Sequence, residues 1–148
     1  MTSSRFSATE RLASVKTAVV GGATAGLLGL GLLLVHRLVG SAGIPLSFGS
    51  EIANLTLLIN IGAAALAGAL FALTYRYAVR TDENSQLKGG VVLAFTLVRG
   101  VAQVDAGSAI AQSGWPFVAA CGENLMVFGL TAVVLNLGIQ RGWLTPFR

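Results

Sequence analysis

Residues 88–105 read KGGVVLAFTLVRGVAQVD, and whether this stretch crosses a membrane decides the fold. It is apolar enough to enter a bilayer, yet it carries Arg99 near its middle. Its 18 residues, at 1.5 Å each, reach roughly 27 Å, just enough for a hydrocarbon core of about 30 Å. An arginine at that depth costs about 2.5–3.5 kcal/mol on insertion scales, so it must face protein and find a partner.

The rest of the chain points to the same solvent. Of 148 residues, 54% are hydrophobic and 11% charged, against about 25% charged in a soluble domain. That length holds one domain. The 19 glycines fall mostly inside apolar runs, where small residues let membrane helices approach closely. The net charge of +4 comes from cations that flank those runs, so topology explains it and a nucleic-acid partner does not. Cys121 is the single cysteine and His36 the single histidine, which excludes an intrachain disulfide and a multi-histidine metal site in one subunit. No Ser/His/Asp set, HExxH, P-loop or dinucleotide fingerprint occurs, so no catalytic residue is assigned and a non-enzymatic protein is expected. The glycine pattern GGATAG at 21–26 lies inside a membrane run, poorly placed to cradle a phosphate.

Working outward, residues 1–16 form a polar, basic N-terminal segment. Ser7-Ala8-Thr9-Glu10 fits a capping box, so the first helix is expected to begin in the aqueous layer. The apolar run 17–35 has 19 residues, longer than the roughly 7–15 of a signal-peptide core, which favours a retained membrane helix. Four transmembrane helices are expected over about 17–39, 52–77, 88–105 and 116–139, together a domain at 17–140. Residues 141–148 remain as a cytoplasmic tail. Gly22 and Gly26 make a GxxxG, read as close packing within the subunit. Gly62, Ala63, Ala67 and Gly68 mark where another helix lies against the second. Tyr75-Arg76-Tyr77 reads as an interfacial anchor, and Pro116 is tolerable in a first helical turn.

Cations set the orientation. With four spans, Arg5, Arg11, Lys16, Arg76, Arg80, Lys88, Arg141 and Arg148 share one side and Arg37 alone the other, eight against one. Without the third span the split is six against three. The fold expected is therefore an all-α, four-transmembrane-helix bundle with both termini cytoplasmic. The halves also echo each other, with Gly21-Gly22 and Gly89-Gly90 each followed by an arginine, suggesting a two-hairpin repeat.

One intramembrane polar cluster emerges from counting helical rise. Arg99 lies roughly 16 Å beyond Lys88, and Glu123 about 12 Å beyond Trp115 on the next helix, so their levels nearly coincide. Asn124 adjoins Glu123, Asn60 lies at similar depth, and Gln103 shares the Arg99 face at i+4. Arg99 is expected to pair with Glu123, either as a neutralised pair that fixes helix register or as a proton, ion or substrate path. His36, near the outer interface, is a candidate axial ligand for haem or chlorophyll, or simply marks a helix end. Asp105 and Glu51 lie near the same surface, within reach of Arg37. Cys121 is expected to pack as a small apolar residue.

The stretch Tyr75-Arg76-Tyr77-Ala78-Val79-Arg80, with Leu87-Lys88, Ala94-Phe95 and Leu97-Val98-Arg99-Gly100, resembles a small integral membrane family of cyanobacteria and plastids. The resemblance covers about 30 of the 148 residues. That family carries no assigned activity, so the resemblance implies only a thylakoid or bacterial inner-membrane location. The short segment before the first helix is unlike a full plastid transit peptide, which favours a bacterial chain. The function expected is an accessory or assembly subunit of a larger membrane complex, photosynthetic complexes included. Its partners are the lipid bilayer and other membrane proteins, or further copies of itself, met through Gly/Ala helix faces. The rival is a small oligomeric transporter or channel built on the Arg99–Glu123 layer.

Overall fold

A computed structural model describes residues 7–41, 54–79, 84–103 and 115–147. They form four helices: α1 (Ala8–Ser41), α2 (Asn54–Val79), α3 (Ser85–Gln103) and α4 (Trp115–Gln140), with no strand among the described residues. Three are long and apolar enough to cross a membrane, over Ala8–Val39, Leu58–Val79 and Phe117–Gln140. At 19 residues with Lys88 and Arg99 inside it, α3 is not among them. Val104, Asp105, Arg80, Glu51 and the loop from Gly40 toward Ser50, apart from Ser41, lie outside the described residues or have no described side chain.

α1 begins at Ala8, nine residues before the expected membrane span, where the capping box placed the helix start. Ser7 Oγ accepts from the Glu10 backbone N–H at 3.2 Å, one half of the capping box. The other half is missing, since the Glu10 carboxylate is bound elsewhere. At 34 residues α1 is roughly 51 Å long, well beyond a hydrocarbon core of about 30 Å.

The helices alternate in direction. The start of α1 meets the end of α2, where Ser14 Oγ lies 3.2 Å from Tyr77 Oη. The end of α1 meets the start of α4, where His36 pairs with Glu123. The end of α3 meets the start of α2 through Arg99 and Ala63. α1 packs chiefly on α2 and α3 chiefly on α4, with α4 also against α1 and α2 bridging to α3.

Small residues make the α1–α2 seam. A Cβ at Gly68 would sit 2.3 Å from Ala25 Cβ and 2.6 Å from Gly21 O, so only glycine permits this approach. Gly22 and Gly26 lie against Ala65 and Ala69 of the same subunit. Gly62 and Ala63, expected at a helix contact, instead face open space or are exposed. The glycine pairs of the two halves also differ: Gly21 and Gly22 are buried in the seam, while nothing lies within 4 Å of a Cβ at Gly89 or Gly90. The sequence echo therefore does not correspond to a repeated contact. In the second hairpin, Gly100 receives Cys121, whose Sγ would lie 2.7 Å from a Cβ there.

Between the ends, aromatic rings fill the bundle. Phe71, Phe95 and Phe128 meet with centroids 5.2–5.7 Å apart, beside Tyr75, Ala132 and Leu135. Large aliphatic side chains instead face outward on every helix, among them Leu27, Leu66, Leu97 and Leu130. Small and aromatic residues inside with leucine outside is the arrangement for a helix bundle bathed in lipid.

The chain after α4 is not a loose tail. Gly142, at φ +72°, ends the helix in a left-handed cap, with Gly142 N–H bonded to Ile139 O and Trp143 N–H to Gly138 O. Leu144 then folds back, buried, into the notch left by Gly138.

Candidate polar site at the helix ends

Among the described residues, six polar side chains line one cavity of about 70 Å³: His36 of α1, Asn60 of α2, Arg99 and Gln103 of α3, Glu123 and Asn124 of α4. The five residues of the expected polar cluster, and His36, are all brought to this place. The apolar part of the wall is Gly29, Leu32, Leu33, Ala64 and Val127. His36 lies three residues inside the end of its apolar stretch, Ala63 five and Glu123 six, so the layer sits roughly 5–9 Å in from one edge. That is shallower than the mid-membrane level obtained by counting from Lys88.

The pairing differs from the expected one. Glu123 Oε1 lies 2.9 Å from His36 Nε2, so α4 is tied to α1. Arg99 forms no ion pair with Glu123 among the described residues. Its Nη1 donates to the backbone carbonyl of Ala63 at 3.1 Å, tying α3 to α2. Counting rise gave a shared level but not the direction in which each side chain leaves its helix. Asn124, 1% exposed, donates from Nδ2 to Gln103 Oε1 and to Ala120 O, the latter at 2.7 Å. Each helix is thus linked to another by a polar contact at this end. One turn below Arg99, the buried hydroxyl of Thr96 has no hydrogen-bond partner, and nothing in the packing accounts for it.

As a ligand for haem or chlorophyll, His36 has Nε2 committed to a carboxylate. No third His, Cys, Asp or Glu joins the pair into a metal-binding group among the described residues.

A second polar site, at the opposite end, was missed from the sequence. Arg76, read as an interfacial anchor, is only 1% exposed. Its Nη2 pairs with Glu10 Oε2 at 2.6 Å, Nη1 donates to Ser14 Oγ at 2.6 Å, and Nε donates to Thr145 O at 2.9 Å. Tyr77 and Phe147 flank the guanidinium, their centroids each 5.8 Å from Cζ, and Lys16 Nζ donates to Trp143 O at 2.8 Å. The Glu10 position in a capping box was the only sequence signal, and it pointed to a different partner.

Comparison with protein-family models, with curated proteins and with solved structures returns no match.

Proposed function

We propose that the chain is a four-span integral membrane protein with both termini cytoplasmic, serving as a non-enzymatic accessory or assembly subunit of a larger membrane complex. The observation that carries this reading is the division of the bundle. Its centre is filled by Phe71, Phe95, Phe128 and Leu135, while large aliphatic side chains cover the outside of every helix. What such a protein offers a partner is helix surface.

The antiparallel run of α3 beside α2 and α4 supports a fourth span. Alone it is too polar to insert well, but Arg99 is bonded to α2, which removes part of that cost. The eight-to-one cation bias supports cytoplasmic termini. A bacterial inner or thylakoid membrane is the location the family resemblance favours.

The polar cavity favours a second reading, a small oligomeric transporter or channel working at the Arg99 and Glu123 level. The aromatic plug beneath it stands in the way of a continuous path.

Purification in mild detergent separates the two. Large partners co-purifying with the chain are expected, whereas a homo-oligomer whose melting responds to a solute would replace the first reading with the second. Reporter fusions test the topology. Those after Arg148 and within 81–86 are expected to read cytoplasmic and one at Ser108 external, and an external C-terminus would leave three spans.

A further inference from the structure

We infer that Lys16, Arg141 and Trp143 form a seat for the phosphate of one anionic phospholipid, whose acyl chains lie along the outer faces of α1 and α4. The seat rests on the membrane reading proposed for the chain, whichever way the chain is oriented.

The seat is built on the turn after α4. Trp143 N–H is bonded to Gly138 O, and the next residue, Leu144, is buried in the notch at Gly138, so the Trp143 backbone is held in place. Two cations gather on Trp143 from different elements. Lys16 of α1 donates from Nζ to Trp143 O at 2.8 Å, and the Arg141 guanidinium stands over the indole ring, with Cζ 5.8 Å from its centroid. Two long cationic side chains are thus brought to one place before any ligand arrives, which lowers the ordering cost of binding.

Its height is that of a lipid phosphate. The apolar stretch of α4 ends at Gln140, one residue before Arg141. The bond to Trp143 O brings Lys16 to the same level, and the indole ring is exposed, as a tryptophan at a membrane interface is. Donors remain to meet a phosphate, because an ammonium has three N–H groups and Lys16 gives one to Trp143. Among the described residues neither cation has a carboxylate partner, and Glu10, the acid at this end of α1, is taken by Arg76. Asp82 and Glu83 lie outside the described residues, and the seat depends on where the two cations stand, not on a net charge.

What marks the ligand as a lipid lies beneath the cations. Val19 and Leu27, at i+3 and i+11 from Lys16, are exposed on α1, and Leu137 and Leu130, at i−4 and i−11 from Arg141, are exposed on α4. At 3.6 residues per turn these positions fall nearly in line, so each cation heads an outward apolar stripe. A phospholipid uses both features, phosphate on the cations and chains on the stripes, whereas a free phosphate uses only the first. The lipid is anionic because the seat presents two positive charges, and no carboxylate beside them among the described residues receives a choline or ethanolamine group.

Thermal unfolding of the full chain in neutral detergent tests this, with micelles doped with phosphatidylglycerol or, at equal mole fraction, phosphatidylcholine. Phosphatidylglycerol is expected to raise the midpoint above that in phosphatidylcholine, and to saturate. Lys16→Gln with Arg141→Gln is expected to weaken its apparent affinity about tenfold or more. Arg11→Gln with Lys88→Gln removes as much charge from the same end and is expected to leave the affinity unchanged. Should the first double variant not fold, Arg141→Gln alone, which keeps the Lys16 bond, decides with a loss of about fivefold. Equal midpoints in the two lipids would overturn the seat, and so would an equal loss in the Arg11 and Lys88 variant, which would mean diffuse attraction. A rise of the same size with sodium phosphate would overturn the lipid as its occupant. Release of the chain from membranes by alkaline carbonate would overturn the membrane reading itself, and the seat with it.

Discussion

Arg76 and Arg99 are both drawn into the bundle, one at each end, and they are matched very differently. Arg76 has a carboxylate, a hydroxyl and a backbone carbonyl, contributed by α1 and by the chain after α4, with two aromatic rings beside it. Arg99 has one carbonyl and a cavity. A buried cation that is fully matched fixes the elements that match it. One that is half-buried and partly matched fixes less, because water can meet its remaining donors. The end carrying Arg76 is therefore the fastened end, and the end carrying Arg99 is the more loosely matched one.

The largest effect expected from breaking this contrast is at the fastened end. Glu10→Ala strands a fully buried guanidinium, which costs about 3–5 kcal/mol. Arg76→Met leaves Glu10 able to reach water and is expected to cost less, about 1–2 kcal/mol. Denaturant titration in detergent measures both, and equal costs would mean that Arg76 is hydrated. Leu144→Ala comes next, at about 2 kcal/mol, the low end for a buried leucine because the folded-back chain can close on the notch at Gly138. Loss of cooperative unfolding of residues 141–147 by hydrogen exchange would accompany it, and unchanged exchange would show that the tail is not fastened. Smallest is Gln103→Ala at the open end, about 1 kcal/mol for one hydrogen bond to Asn124. A larger cost there than at Leu144 would reverse the comparison.

Much of the bundle was legible because helix existence depends on local apolar runs and caps. The segments at 52–77 and 116–139 fall within two residues of α2 and α4, and Ser7 correctly marked the start of α1. The shared level of these residues was also legible, though not its depth, which is why Arg99, Gln103, Glu123, Asn124, Asn60 and His36 all line one cavity. Azimuth was not. Counting 1.5 Å per residue compares levels on neighbouring helices and says nothing about which neighbour a side chain faces. That is how Glu123 came to be assigned to Arg99 instead of His36, and Gly62 to a helix contact. Arg76 was illegible for another reason. Its partners lie 62–69 residues away in sequence, and between two tyrosines it has the local look of a surface anchor.

The account stands or falls on which side chain holds Glu123, and paired double-mutant cycles measure that directly. One cycle joins His36→Phe with Glu123→Gln, the other Arg99→Met with Glu123→Gln, each read by unfolding free energy at pH 6 in gluconate. The account predicts coupling of about 1 kcal/mol or more for His36 with Glu123 and additivity within about 0.5 kcal/mol for Arg99 with Glu123. Strong coupling of Arg99 to Glu123, with His36 additive, would make Glu123 the arginine's own counter-ion and contradict the pairing described here.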